Sequence, residues 1–297
     1  MHDVIVIGGS FAGQSAAMQL ARARMNVLLI DAGSPRNRFA EASHGFLGQD
    51  GRAPSAIMRE AASQLMRYPT AQVLQGTAQD VSEEADRFIV QLADGAEYQA
   101  KRLVLATGVS DTLPSIPGMA ERWGETVLHC PYCHGYEVRD HRLGIIATNP
   151  MSAHQAALIP DWGPATYFTQ GIHEPDPEQA ILLGKRGVVI ERVPVISLIG
   201  DAPGLDAVEL ADGRLIEVAA VFTAPKTRPS SAIAERLGCL LEDGLTGPFV
   251  KVDAWGATSV PGVYAAGDAT SPMHNATVAS ASGVLAGIAA HQSLIRS

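Results

Sequence analysis

Val4-Ile5-Val6-Ile7-Gly8-Gly9-Ser10-Phe11-Ala12-Gly13 is the stretch on which the fold of this chain turns. Four consecutive β-branched apolar residues ahead of clustered glycines predict a strand buried on both faces and ending in a tight turn. From Gly13 to Arg24 the apolar residues Ala16, Ala17, Leu20 and Ala21 recur at helical spacing, and Val27–Ile30 is a second continuous apolar run. Strand, glycine turn, helix and strand make a βαβ unit. In such a turn one small residue makes the bend, one lets backbone approach a pyrophosphate, and one lets the helix pack on the strand. Gly8, Ser10 and Gly13 hold those positions, with Ser10 in place of the middle Gly. Asp31 follows Gly8 by 23 residues, close to the offset of a carboxylate that binds a ribose hydroxyl. These residues point to a dinucleotide site, although a βαβ turn without a nucleotide stays open on this motif alone.

The same order of elements recurs downstream. Phe88–Leu92 and Tyr98–Arg102 flank Ala93-Asp94-Gly95, a hairpin signal, and a strand Leu103–Ala106 follows. Later, strand Leu143–Ile146, a helix-like run Ser152–Ile159 and strand Thr166–Phe168 repeat the opening unit. Leu210-Ala211-Asp212-Gly213 then repeats Leu92-Ala93-Asp94-Gly95 letter for letter, ahead of strand Ala219–Phe222. Two related nucleotide-binding domains are expected. Pro/Gly-rich joints at Thr112–Gly118 and Ala224–Pro229 divide them. Beyond the second joint, Pro248–Asp253 and Val260–Ala265 read as strands and Asn275–Leu294 as a long small-residue helix. The expected architecture is α/β: two Rossmann-like three-layer nucleotide-binding domains, the second inserted in the first. The first comprises 1–113 and 225–297, the second 114–224, each a parallel sheet with a covering β-hairpin layer.

Bulk properties limit the function classes. The 297 residues suffice for two domains, and 46% hydrophobic with 18% charged residues is a globular composition. A net charge of −9 with no basic run longer than two residues argues against nucleic acid as a partner. No apolar run is expected to reach the ~20 residues of a membrane span. Asp3 interrupts any signal-like pattern, so a cytoplasmic enzyme is expected. Three cysteines are too few for a disulfide scaffold, and in a reducing compartment a close pair points to redox or metal chemistry. Cys239, in the helix-like run Ala232–Leu241, reads as a buried small apolar residue.

The close pair is Cys130-Pro131-Tyr132-Cys133-His134-Gly135. Two intervening residues let the sulfurs form a disulfide, and a helix N-terminus or a neighbouring thiol depresses one thiol pKa. The same letters admit a haem-c attachment, a zinc site with His129, His134 or His141, or a pair of inert buried thiols.

Pro261-Gly262-Val263-Tyr264-Ala265-Ala266-Gly267-Asp268 resembles the second FAD motif of the pyridine nucleotide–disulfide oxidoreductase family, and Ala106-Thr107-Gly108 resembles its A-T-G element. The resemblance implies FAD as cofactor. It implies Gly267 and Asp268 at the ribityl chain and a helix starting near Asn275-Ala276-Thr277 with its N-terminus toward the flavin. Arg36–Gly51 occupies the region that approaches the flavin ring, where His44 either faces the ring or caps its loop. Over nearly its whole length the chain is similar to low-molecular-weight thioredoxin reductases, which carry C-x-x-C-D-G in the inserted domain. His134 stands where that family has Asp. By this resemblance Cys133 faces the flavin, Cys130 exchanges with the external sulfur, and His134 is the general acid/base, a role an imidazole suits near neutral pH. The form C-x-x-C-H-G-Y-E, Cys130–Glu137, also resembles the dithiol oxidases of gliotoxin- and holomycin-type pathways. A homodimer is implied, with a small dithiol or disulfide, or a thioredoxin-like protein, as partner.

The inserted domain departs from that family. Its turn Ala147-Thr148-Asn149-Pro150-Met151-Ser152 contains no Gly, and Pro150 lacks an amide where a phosphate should sit. Thr169-Gln170-Gly171, after the next strand, supplies neither an acid for a ribose nor arginines for a 2′-phosphate. Lys185 and Arg186 are the one adjacent basic pair there, and read as a solvated turn. NADP(H) use is thus open. Three functions stay possible: a disulfide reductase fed by NADPH or another donor such as ferredoxin, an oxygen-dependent small-molecule dithiol oxidase, and a non-catalytic FAD-binding redox sensor.

Overall fold

Val4, Ile5 and Val6 have no solvent exposure, because β1 (His2–Ile7) is flanked by parallel strands on both edges and covered on both faces. The computed structural model describes residues 1–295. After β1 come helix α1 (Phe11–Arg22) and β2 (Val27–Asp31), which pairs parallel with β1, Ile7 opposite Ile30. Helix α2 (Pro54–Leu65) leads to β3 (Ala71–Gln75), parallel to β2. Then β4 (Ala78–Glu84), β5 (Arg87–Leu92) and β6 (Glu97–Leu105) complete an order β3-β2-β1-β6-β5-β4.

In β6 the structure corrects the sequence reading. Tyr98–Arg102 and Leu103–Ala106 are not two strands: Glu97–Ala100 pair antiparallel with β5, and Ala100–Leu105 pair parallel with β1. Burial changes within the strand, from intermittent to continuous at Leu103–Leu105, as it passes between β1 and β19. The hairpin therefore continues the main sheet by hydrogen bonding.

Strand β7 (Val109–Thr112) leaves that sheet. A second parallel sheet follows, made of β8 (Val127–Leu128), β9 (Leu143–Ile146), β10 (Ala165–Phe168) and β11 (Val189–Glu191), with helices α3 (Pro131–His134), α4 (Ser152–Leu158) and α5 (Pro177–Lys185) between them. An antiparallel sheet of β12 (Val195–Ile199), β13 (Ala207–Leu210) and β14 (Leu215–Glu217) packs Val195, Leu198, Val208 and Leu210 on Ile146 and Phe168. Strand β15 (Ala220–Phe222) closes the second sheet in the order β11-β10-β9-β15-β8. The repeated Leu-Ala-Asp-Gly makes the same turn twice. Gly95 N–H donates to Leu92 O and Gly213 N–H to Leu210 O, with glycine φ of 88° and 85°, a region a side chain disfavours. Asp94 and Asp212 each accept from the amide two residues on, at 3.0 and 3.1 Å.

Strand β16 (Lys226–Pro229) pairs antiparallel with β7, so a two-stranded ribbon connects the two sheets. Helix α6 (Ile233–Arg236) is shorter than the expected run to Leu241, since Gly238 turns the chain at φ 82°. Cys239 is buried, with its thiol donating to Thr258 Oγ1 at 3.6 Å. A hairpin of β17 (Leu241–Asp243) and β18 (Pro248–Val250) precedes β19 (Val263–Ala265), which returns to the first sheet beside β6, Tyr264 opposite Val104.

Helix α7 (Ala276–Ile295) corrects a second expectation. With mean hydropathy 1.3 it is the one described helix long and apolar enough to cross a membrane, by length and composition alone. Ala, Gly and Ser dominate it, so it does not stand out as a run of large apolar residues. In the fold it packs on α1: a Cβ on Gly287 would lie 2.7 Å from the Ala16 carbonyl oxygen, and Gly283 meets Ala12 in the same way. Only glycine admits so close a backbone approach.

Candidate active site

The first glycine turn is built by collisions that glycine avoids. A Cβ on Gly8 would run into the Ala106 carbonyl, one on Gly9 into the Asp31 side chain, and one on Gly13 into the Gly8 carbonyl. Gly8 also has φ 108°. Gly9 N–H donates to Asp31 Oδ1 at 3.1 Å, which ties the end of β2 to the turn. Ser10 is the N-cap of α1 in extended backbone and makes no side-chain cap bond, leaving the first-turn amides for an anion. Gly9 was not singled out from the sequence, and its role follows from the proximity of Asp31. Ala106 and Thr107 border the turn through the Gly8 contact, and Gly108 O accepts from Ser230 N–H at 3.1 Å.

Gly267 and Asp268 lie in a short turn after β19. Gly267 has φ 77°, sits against Ala12 on α1, and donates its N–H to Ser282 Oγ on α7 at 2.9 Å. Asp268 reaches Arg36 Nη1 at 3.5 Å. That guanidinium also grips Asp111 on β7 with two hydrogen bonds, Nε to Oδ2 at 2.8 Å and Nη2 to Oδ1 at 2.5 Å. Burial raises the Asp268 carboxyl above its ordinary pKa, against the opposing charges of His274 and Arg36. Burial likewise lowers His274, with Arg36 adding to the effect. Asn275 caps α7: its Oδ1 accepts from Thr277 N–H at 2.8 Å and Val278 N–H at 3.3 Å, while Ala276 packs in the core beside α1. Two amides of the expected flavin-facing helix start are therefore engaged by the chain itself.

Cys130 and Cys133 are joined as a disulfide. Cys130 is the N-cap of the one-turn helix α3, with Pro131 at its first position, where a missing amide costs nothing. Cys133 and His134 amides both donate to Cys130 O at 3.2 Å. Gly135 is required by packing: a Cβ there would lie 2.6 Å from Pro131 O and 2.9 Å from the Trp162 ring. Tyr132 meets the same ring edge-on at 5.6 Å. A disulfide is the state of a redox pair; haem attachment and zinc ligation both use the sulfurs otherwise.

Histidines surround the pair. His134 is half-buried, and burial lowers its pKa, opposed by Glu137 and reinforced by His44. The imidazole is thus neutral near pH 7 and able to accept a proton. His44 lies 3.4 Å from Glu137 Oε1 and 3.8 Å from Asp50 Oδ1, so it bridges its own loop to the C-x-x-C-H-G-Y-E segment. His129, its ring tilted 34° to that of Trp123 at 5.8 Å, is lowered to about 3 by burial, with Arg36 next in effect. Arg36, Asp111 and Asp268 are therefore joined directly, and His274 and His129 lie near enough to feel their charges. Arg36 and Asp111 carried no role of their own in the sequence reading, His129 entered it as a possible zinc ligand, and Glu137 as the last residue of the C-x-x-C-H-G-Y-E motif. The Gly8–Gly13 turn and Asp31 form a separate group at the C-terminal ends of β1 and β2, where open α/β sheets bind ligands.

The sequence pattern of the pyridine nucleotide-disulphide oxidoreductases matches residues 2–146 and 180–283. The chain belongs to this family. Among solved structures it is similar to an oxidoreductase from Agrobacterium tumefaciens, 48% identical over 99% of both chains with a TM-score of 0.95. It is also similar to HlmI, 38% identical over 99% of this chain and 93% of that one, TM-score 0.92. A curated relative, thioredoxin reductase tcpT of Claviceps purpurea, is 31% identical over 99% of this chain and 94% of its own length. Membership makes the protein an FAD-dependent disulfide oxidoreductase of the thioredoxin-reductase-like kind, and the glycine cradle beside Asp31 fits that cofactor.

In this family member the second nucleotide turn is closed on itself. Thr148 and Asn149 amides both donate to Ser152 Oγ, at 3.1 and 3.3 Å, and Ser152 is fully buried. Met151 N–H donates to Asn149 Oδ1 at 2.9 Å. Thr148 Oγ1 and Asn149 Nδ2 hold the turn to Ala224 O at 2.5 and 3.3 Å. The amides that cradle a phosphate in an open glycine turn are here spent on side chains. Arg186 bonds Asp161 at 2.6 Å and the Ala157 carbonyl at 3.1 Å from a solvated turn beside exposed Lys185.

Proposed function

We propose that this protein oxidises small dithiols to disulfides, passing the electron pair through Cys130–Cys133 and FAD to oxygen without NADPH. The observation that carries this reading is the Ser152 hydroxyl in the second turn, which takes the Thr148 and Asn149 amides that a pyrophosphate needs. His134, as a neutral base, takes the proton from a substrate thiol. The resulting thiolate attacks Cys130 Sγ, the Cys130–Cys133 bond breaks, and its electron pair leaves on Cys133. The second substrate thiolate then attacks the substrate sulfur of the mixed disulfide and expels Cys130, giving a cyclic disulfide and a Cys130/Cys133 dithiol. FAD, when bound, would supply the two-electron acceptor that returns the Cys130/Cys133 dithiol to the disulfide, with oxygen as the final oxidant and hydrogen peroxide as its product. On this reading Gly8, Ser10, Gly13 and Asp31 hold the adenosine pyrophosphate end, and Thr107, Gly267 and Asp268 the flavin end. His44 and the Asn275–Thr277 cap border the ring.

The kinship with a relative named thioredoxin reductase keeps a second reading, in which a thioredoxin-like disulfide is the partner. Oxygen uptake separates the two: dithiothreitol should be consumed one-to-one with oxygen, and absence of uptake would remove the oxidase. We also read the chain as cytoplasmic and as two domains, 1–113 with 225–297, and 114–224 inserted. The return of β19 to the first sheet and the β7/β16 ribbon support that division. A homodimer is supported by exposed Val278 and Leu285, seven residues apart and so on one side of α7. Equilibrium sedimentation at micromolar concentration tests it.

A further inference from the structure

Arg36 is the least expected member of the cluster at the Asp268 turn. It opens the Arg36–Gly51 stretch without a role of its own there, yet its side chain is only 16% exposed and touches carboxylates from two remote segments. Both Asp111 oxygens are taken by Nε and Nη2, a fork-to-fork pair that fixes the guanidinium plane. Asp111, 7% exposed, thus has its oxygens committed to orienting Arg36. The remaining nitrogen, Nη1, points to Asp268 at 3.5 Å. A buried ion pair that served packing alone gains little over apolar side chains of the same volume. Here a single cation stands between two acids, and the second acid lies on the turn that the family motif assigns to the cofactor.

We propose that Arg36 is a positioning residue for FAD: held by Asp111, it keeps the Asp268 carboxylate an oriented anion that accepts from the cofactor. This inference rests on the reading of Asp268 as a flavin-end residue. The groups facing Asp268 are His274, Arg36 and Asp111; the first two favour its anion, and Asp111 and burial oppose it. Removing Arg36 leaves Asp111 and Asp268 to repel each other, so Asp268 takes up a proton more readily as pH falls. A protonated carboxyl is the weaker acceptor, and FAD should be released.

The test is the FAD dissociation constant of purified holoprotein, read by flavin fluorescence on dilution from about pH 8 to about pH 5, across which raised carboxyls and lowered histidines change charge. Arg36→Met should weaken FAD binding about 10- to 100-fold, the worth of a charge-assisted hydrogen bond, and steepen the loss toward low pH. Arg36→Lys should restore the flatter pH profile, because it restores the charge, but not the full affinity, because it cannot make the fork. Should Arg36→Met not fold, Asp111→Asn carries the test and should shift both quantities in the same direction. Wild-type affinity and pH profile in Arg36→Met, or in Asp111→Asn if the former does not fold, overturn the proposal, provided Asp268→Asn loses FAD. If Asp268→Asn itself binds FAD normally, the flavin-end reading of Asp268 fails, and the role of Arg36 with it.

Discussion

The Ser152 hydroxyl accepts a hydrogen bond from the Thr148 amide at 3.1 Å, inside a turn that in an NADPH-using relative would have to face a phosphate. The hydroxyl does for the backbone what an anion would do, and it does so from a fully buried position. Ser152→Ala should therefore cost stability without costing chemistry. Two half-buried amides lose their acceptor, a penalty of about 1–3 kcal/mol each at most, visible as a lower urea midpoint. Dithiol turnover should stay within about twofold of the parent, since the hydroxyl bonds amides of its own turn and not the reacting groups. A large loss of dithiol activity at unchanged FAD content would mean that the turn takes part in the reaction.

His134 gives the pH dependence of the reaction. Its pKa lies below 6.5 through burial, with Glu137 opposing that shift and His44 reinforcing it. Activity requires the neutral base, so kcat/KM for a dithiol should rise with pH through an acid limb below about 6.5 and then level. Glu137→Gln should move that limb to lower pH, and His44→Asn to higher pH. Shifts of the opposite sign in a steady-state pH profile would show that the two neighbours do not act on His134 in this way.

His129 should make the fold sensitive to acid. Half-buried and lowered to about 3 by desolvation, it stays neutral in the folded protein, while the unfolded chain binds its proton near 6.5. Between these values the unfolded state holds more protons, so stability falls as pH falls. His129→Asn should flatten that acid limb in urea titrations from about pH 6.5 downward. An unchanged slope would mean that other groups carry the acid sensitivity.

The two cysteines should be inequivalent. Cys130 caps α3 and Cys133 lies within it, and the family resemblance assigns Cys133 to the flavin side. Cys130→Ser should leave Cys133 as a thiolate beside oxidised FAD, with a long-wavelength charge-transfer absorbance that Cys133→Ser lacks. Equal spectra in the two variants would remove that assignment.

Much of this was legible in the letters where the signal is local. The continuous run Val4–Ile7, the glycines behind it and Asp31 were readable by their spacing, although only the Gly13–Gly8 contact is local, and Gly8 and Gly9 are held to glycine by Ala106 and Asp31 far along the chain. The repeated Leu-Ala-Asp-Gly foretold two identical turns, since the Asp side chain and the left-handed Gly are both short-range devices. The C-x-x-C spacing likewise carried its disulfide. What was not legible is non-local. Arg36 and Asp111 stand 75 residues apart with nothing between them to signal a pair. The single strand Glu97–Leu105 was divided because its two halves have different neighbours and so different apolar patterns. α7 hid its apolar length in alanine and glycine, and Asn275 spent on its own helix the cap expected to face the flavin.

The central claim is that electrons enter through Cys130–Cys133 from a dithiol and not from NADPH. Anaerobic stopped-flow mixing of the holoprotein with dithiothreitol or with NADPH, followed by the visible flavin absorbance, tests it most directly. The account predicts rapid and complete bleaching by the dithiol, its loss in Cys130→Ser, and little or slow bleaching by stoichiometric NADPH. Fast, stoichiometric bleaching by NADPH would contradict it.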